Sequence, residues 1–280
     1  MSEILKNSKW EGLALEKLPW YSAEIDKITP QAQELFEKYS HVEPENVKKH
    51  IKEFFPYPCL ARWAFLELHV TFSPQYPEVL ERVKNGDKYL DLGCCVGQDI
   101  RKLVFDGAPS ENTYGSDLKK DFMNIGYDLF LDKSTLKTTF IAADIFDQDS
   151  DLKQVAGEID IMHTASFLHL FNWEESVKAC KRIVQILKSK PGSLLIGRQI
   201  GNVNSGDYVG SLDPTNKRYR HNGESFQRMW KAVGEETGTK WAVDSYLEDQ
   251  DIYEMAVKMG LADTIPQGSR WLSFSVRRLA

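Results

Sequence analysis

Three aspartates stand at places where a carboxylate can grip a ligand. They are Asp91 in YLDLGCCVGQD, Asp117 in YGSDL and Asp144 in FIAADIF. Each follows a short apolar run, so each is expected at the end of a strand. Open α/β sheets bind ligands at such strand ends. The first run enters a D-x-G-x-x-x-G loop. There Gly93 permits a sharp turn, and Gly97 lets the following helix start pack close to the strand. Helix starts offer free N–H groups to an anion. Asp91 suits an ammonium group, and Asp117, with Leu118 beside it, suits the two hydroxyls of a ribose. Asp144 suits an adenine amino group, with Ile145 and Phe146 as apolar cover. A lone aspartate at a strand end is commonly only a helix cap. Three in succession beside a glycine loop point to an adenosine-bearing ligand with an amino-acid tail.

The elements that must hold these residues follow from periodicity. From Tyr89 onward, short apolar strands alternate with amphipathic helices, as in a parallel α/β sheet. Strands are expected at Tyr89-Leu90, Asn112 to Ser116, Thr138 to Ala142, Ile159 to Met162, Ser193 to Ile200 and Trp241 to Leu247. A last, antiparallel strand alternates Leu272, Phe274 and Val276 with polar residues. Residues 1–86 read instead as helices with proline breaks. Thr29-Pro30 starts one helix, Val47, His50, Ile51 and Phe54 mark another, and CLARWAFLELHV reads as a buried helix. The expected organisation is a helical cap over 1–86 and a ligand-binding α/β domain over 87–280.

Composition narrows the function classes. The chain has 280 residues, 42% hydrophobic and 27% charged, with a formal charge of -6. These are globular values, and the acidic balance lacks the footprint of a nucleic-acid binder. The basic runs VKKHIK and KRYRH read as solvated faces. Cys59, Cys94, Cys95 and Cys180 show no C-x-x-C spacing, so no metal site is expected. No membrane span and no basic-then-apolar leader is visible, which suggests the cytoplasm. The loop fits neither G-x-G-x-x-G nor G-x-x-x-x-G-K-[ST], which weighs against nicotinamide and nucleoside-triphosphate ligands. Asp117 would fit a nicotinamide cofactor's ribose too, so an oxidoreductase stays a second reading, and a non-catalytic binding module a third.

With Asp91-Leu92-Gly93 and Gly97, Asp117, Asp144-Ile145 and IDIMHTASFLHLF in place, the sequence resembles a class I S-adenosyl-L-methionine-dependent methyltransferase. YLDLGCCVGQD, YGSDL, ASFLHLF and the lead-in FFPYPCLARWAFL are similar to the fungal methyltransferases of meroterpenoid biosynthesis, and the likeness runs over nearly the whole chain. The departure from the superfamily pattern is Cys95 where a glycine commonly stands. The resemblance implies a doubly wound seven-stranded sheet with an N-terminal helical cap. It also implies S-adenosyl-L-methionine as cofactor and methylation of a carboxyl group on a farnesylated, polyketide-derived acid. A phenol or nitrogen acceptor is the rival within that reading.

Carboxylates are ionised near neutral pH and need no base, whereas a phenol, with a pKa of about 10, generally benefits from one. His163, just after the expected fourth strand, is the candidate positioning group or base, and Thr164 is expected to touch the cofactor through its backbone. His169, expected in the next helix, Arg198 at the end of the fifth strand, and Tyr57 in the cap are the candidate substrate contacts. The aromatic N-terminal helices suggest a homodimer.

Overall fold

The structure, a computed structural model, describes residues 17, 21, 22, 24, 25, 27–54, 63–209, 217–258 and 262–280. Tyr57, Trp10, Trp20 and Cys59 lie outside the described residues.

The leading segment begins with α1 (Pro30–Glu34), which runs into a π turn over Leu35–Tyr39. Thr29 caps α1 by accepting the Ala32 N–H, as the Thr-Pro pair predicts. α2 (Val47–Glu53) follows. The expected buried helix after Pro58 is absent over its described part. Trp63 takes a left-handed φ of 56°, and two short 3-10 turns, Ala64–Leu66 and His69–Phe72, carry the chain instead. Such a residue cannot continue a right-handed helix. The apolar side chains are still buried, so the segment is core without being a helix. α3 (Tyr76–Lys84) then leads into the sheet.

The α/β part comprises β1 (Tyr89–Leu92), α4 (Gln98–Phe105), β2 (Thr113–Asp117), α5 (Lys120–Phe130), β3 (Thr139–Ala142), β4 (Ile161–Ala165), α6 (Trp173–Ile186) and β5 (Leu194–Asn202). Then come β6 (Gly206–Val209), β7 (Lys217–Arg220), α7 (Gly223–Thr237), β8 (Trp241–Asp251), α8 (Ile252–Lys258) and β9 (Ser269–Arg278). The main sheet has the order β3-β2-β1-β4-β5-β9-β8. Only β9 runs antiparallel to its neighbours, inserted between β5 and β8. The doubly wound, seven-stranded expectation is borne out. Because β9 is interior, Leu272, Phe274 and Val276 are buried.

Three features differ from expectation. The fourth strand starts at Ile161 and runs to Ala165, so His163 lies within it. Ile159 forms only an isolated bridge to Leu187. His169 lies in a 3-10 turn, Leu168–Leu170, before α6, whose start is set by the Asn172 and Glu175 capping box. The basic run 217–221 is no solvated face: it forms β7, paired with β6, and Arg220 and His221 are buried.

One apolar core joins Leu90, Leu92, Met162 and Leu195 to α6 and α7. A second lies under α3 and α4 with Tyr89, Ile100 and Ile196. A third unites Leu35, Phe36, Val47, Ile51 and Trp63 of the leader with Val96, Leu129 and Phe130. Val96 belongs to the glycine loop, so the leader packs directly on the candidate site. Among the described residues no helix is long and apolar enough to cross a membrane.

Candidate active site

The glycine loop is built by two left-handed glycines and one left-handed cysteine: Gly93 at φ 80°, Cys95 at 51° and Gly97 at 70°. At Cys95 that backbone costs a residue bearing a Cβ about 1–2 kcal/mol. The glycines are needed for space as well. A Cβ on Gly93 would stand 2.8 Å from the Phe167 ring, and one on Gly97 2.7 Å from Arg101 Nη1. Arg101 fixes the loop from below. Its Nη1 donates to the carbonyls of Val96 and Gly97, while Nε and Nη2 grip Asp132. Tyr39 of the leader donates to the same Asp132 at 2.7 Å.

The three aspartates come together along neighbouring strand ends. Asp117 Oδ2 accepts the Cys95 N–H at 2.9 Å and Oδ1 the Lys119 N–H at 2.9 Å. Burial pushes the Asp117 carboxyl pKa up, against the N–H groups that draw it down. The Ala143 N–H donates to the Asp117 carbonyl, which sets Asp144 beside it. Asp144 Oδ1 accepts the Phe146 N–H, an Asx-type turn. Leu118 is 62% exposed next to Asp117. Ile145 is turned into the main core, and the half-buried Phe146 packs on Phe171. Thr164 is buried with Oγ1 unpartnered.

Asp91 and His163 face each other across β1 and β4. His163 is not at an open mouth: it is 1% exposed, and its Nδ1 lies 2.9 Å from Asp91 Oδ1. Burial lowers its pKa, but the charge and hydrogen bond of Asp91, with Asp99 beyond, outweigh that and raise it. Asp99, in the first turn of α4 and not singled out by any sequence motif, completes this cluster. Burial pushes its pKa up to about 7, against the pull of His163. The ligand atoms of Asp91, Asp99 and His163 lie within 4.8 Å of one another, a spacing a cation can bridge. Hydrogen bonds already engage most of them, because Asp99 accepts the Val70 N–H and Gln98 Nε2.

Arg198 is clamped rather than open. Glu248 takes it bidentately at 2.8 and 2.7 Å, and the rings of Phe72 and Trp271 cover it. His69, also missed in the sequence, joins His163, Arg198 and Ser273 around one narrow cleft. Burial first, then Arg198 and His163, hold its pKa down at about 3. His169 Nδ1 accepts the Ile200 N–H at 3.0 Å.

Residues 20–66 match the family model described as the meroterpenoid methyltransferase N-terminal domain. The chain is 43% identical to O-methyltransferase phiE of a fungal species, over 92% of each chain. It belongs to the fungal meroterpenoid methyltransferases. Another relative is the asnovolin E/chermesin D methyltransferase nvfJ of Aspergillus novofumigatus. It is 38% identical, covering 81% of this chain and 84% of that one. Among solved structures, the Haemonchus contortus phosphoethanolamine N-methyltransferase 2 with S-adenosylhomocysteine superposes with a TM-score of 0.52 at 13% identity. The match covers 90% of this chain and 61% of that one. The fold of this meroterpenoid methyltransferase is thus the class I fold of S-adenosyl-L-methionine-dependent enzymes.

The residues present in the meroterpenoid methyltransferase fit that cofactor. Asp117 keeps lone pairs beyond its two N–H bonds, the adjacent Leu118 is exposed, and Asp91 Oδ2 is buried with no hydrogen-bond partner.

Proposed function

We propose that this methyltransferase esterifies a carboxyl group of a hydrophobic small molecule, a farnesylated polyketide-derived acid, in fungal secondary metabolism. The observation that carries the reading is the commitment of His163. Its Nδ1 is bound to Asp91, its pKa is raised, and it is sealed from solvent. The Asp91 contact fixes the His163 ring within the strand interior, which fits a positioning role. His69, the other histidine of the adjoining cleft, has its pKa held down at about 3, which makes it a weak base. A carboxylate acceptor requires none, because it is already ionised.

Asp117 would hold the ribose hydroxyls, Asp91 the methionyl ammonium, and the loop Gly93 to Gly97 with the start of α4 the methionyl carboxylate. Asp144, Leu118 and Phe146 would border the adenine, and the Thr164 backbone would close the wall. S-adenosyl-L-methionine supplies an activated methyl group: a C–O bond to the acceptor forms as the S–CH3 bond breaks, a neutral thioether leaves, and no proton moves. The chain's own contribution is alignment and exclusion of water, which can supply about 7–11 kcal/mol. The leader, packed on the loop through Val96 and Tyr39, would serve as the lid of the acceptor pocket.

Methyl-labelled S-adenosyl-L-methionine, offered with a farnesylated hydroxybenzoic acid or its primary amide, tests the reading. Label should pass to the acid and not to the amide. Equal labelling of both would place the methyl on a phenol and overturn it.

A further inference from the structure

Arg220 ends β7 and is 8% exposed. Among the described residues it has no carboxylate partner. The charged or ionisable groups felt by its guanidinium are another arginine, Arg218, and the phenol Tyr208. Its Nη1 donates to the His169 carbonyl, and its Nε is buried with no partner. Burial first, then Arg218, draws its pKa down to about 10. Arg101, Arg198 and Arg277 are answered by Asp132, Glu248 and Glu78, and the buried Arg182 by the side-chain oxygens of Gln148 and Gln185, whereas Arg220 has a single backbone carbonyl. A buried cation without a counter-ion is costly, and such costs are commonly met by a bound anion.

The residue Arg220 holds is informative. The backbone N–H of Ile200 is a fixed donor, so His169 Nδ1 must accept and carries no proton. Burial, with Arg220 and Arg218 nearby, holds the His169 pKa far down, so the ring is neutral and its proton resides on Nε2. His169 therefore offers a donor and cannot act as a base through Nε2. It lies two residues beyond Phe167, whose ring fills the space left by Gly93. Arg220 is thereby tied to the segment after β4 that packs on the glycine loop through Phe167.

We propose that Arg220, anchored on the His169 carbonyl, receives the carboxylate of the acceptor and sets the enzyme's preference for anionic substrates. The proposal deepens the carboxyl-transfer reading and rests on it for the identity of the anion. One carboxylate oxygen pairs with the guanidinium, and the other is left for methylation. The ester product is neutral, so it loses the ion pair that held the acid.

The test uses the full chain, with Arg220→Gln, which can still donate to the His169 carbonyl, and Arg220→Lys, which keeps the charge. Titration with S-adenosylhomocysteine checks that each variant is folded. If Arg220→Gln fails that check, Arg220→Met replaces it. Sodium benzoate should raise the melting temperature of the wild type and of Arg220→Lys but not of the neutral variant. The KM for a farnesylated hydroxybenzoic acid should rise about 10- to 100-fold in the neutral variant, with kcat changed less. Equal benzoate protection in wild type and neutral variant, no protection in either, or an unchanged KM would overturn the proposal. Benzoate protection that depends on Arg220 without ester formation would uphold the anion site and sink carboxyl transfer. Ester formation at an unchanged KM would do the reverse.

Discussion

His163 Nδ1 and Asp91 Oδ1 stand 2.9 Å apart at directly paired positions of β4 and β1, both sealed from solvent. This contact joins the strand that launches the glycine loop to β4. It is a positioning device. Removing one member leaves the other buried and uncompensated, which costs about 3–5 kcal/mol. His163→Gln and Asp91→Asn should each lower stability by that order, and the double variant by much less than the sum. Urea unfolding of the four proteins checks it. Additive losses would mean that the two side chains do not act as a pair.

Asp99 makes the same cluster sensitive to pH. Its pKa in the folded chain is raised to about 7 from 3.8, so the fold holds a proton that the unfolded chain releases. Stability is then lost as pH rises from about 4 to about 7. His163, with its pKa raised above 6.5, adds a loss in the same direction at higher pH. Asp99→Asn keeps an oxygen for the Val70 N–H and should flatten the melting temperature between pH 5 and 7 relative to wild type, in steps of about half a unit. A parallel pair of profiles would exclude Asp99 as the titrating group.

Asp117 pins the Cys95 N–H and is the residue proposed to hold the ribose. Asp117→Ala should weaken S-adenosylhomocysteine binding by about 10- to 100-fold. Calorimetric titration reads this directly. An unchanged dissociation constant would remove Asp117 from the cofactor site.

Cys95 occupies a left-handed position that favours glycine. In Cys95→Gly, relief of about 1 kcal/mol of strain is offset by a similar loss of chain entropy. Stability and cofactor affinity should therefore barely move, while Cys95→Val should destabilise. Thermal melts with and without S-adenosylhomocysteine distinguish the cases. A severe loss in Cys95→Gly would give the thiol a role of its own.

Arg101 ties the loop carbonyls to Asp132, and Asp132 ties them to Tyr39 of the leader. Arg101→Met should cost about 3–5 kcal/mol by stranding a buried carboxylate, and Asp132→Asn in the same background should recover part of it. Denaturant titration measures both, and no recovery would show that Arg101 acts through the loop carbonyls alone.

The parallel half of the sheet was legible where β1 (YLDL) and the start of β5 (LLI) are buried on both faces and read as apolar runs. β4 was displaced by two residues because Ile159 is as apolar as Ile161 and nothing local says which one joins the ladder. That shift moved His163 from a loop into the strand interior. The β6 and β7 hairpin was not legible at all. KRYR has the composition of a surface run, and only packing against the turn that holds His169 buries Arg220. Trp63 defeated the helix expectation in the same way, since its left-handed backbone leaves no trace in hydrophobic periodicity. The three strand-end aspartates were visible as residue types. Asp99 and His69 were not, because their partners come from distant segments.

The most direct measurement is the chemical identity of the methylated product formed from a farnesylated hydroxybenzoic acid and methyl-labelled S-adenosyl-L-methionine. Mild alkaline hydrolysis should release the label as methanol, the behaviour of a methyl ester. Label retained on the aromatic product would mean methylation at a phenol oxygen or at carbon, and would contradict carboxyl transfer.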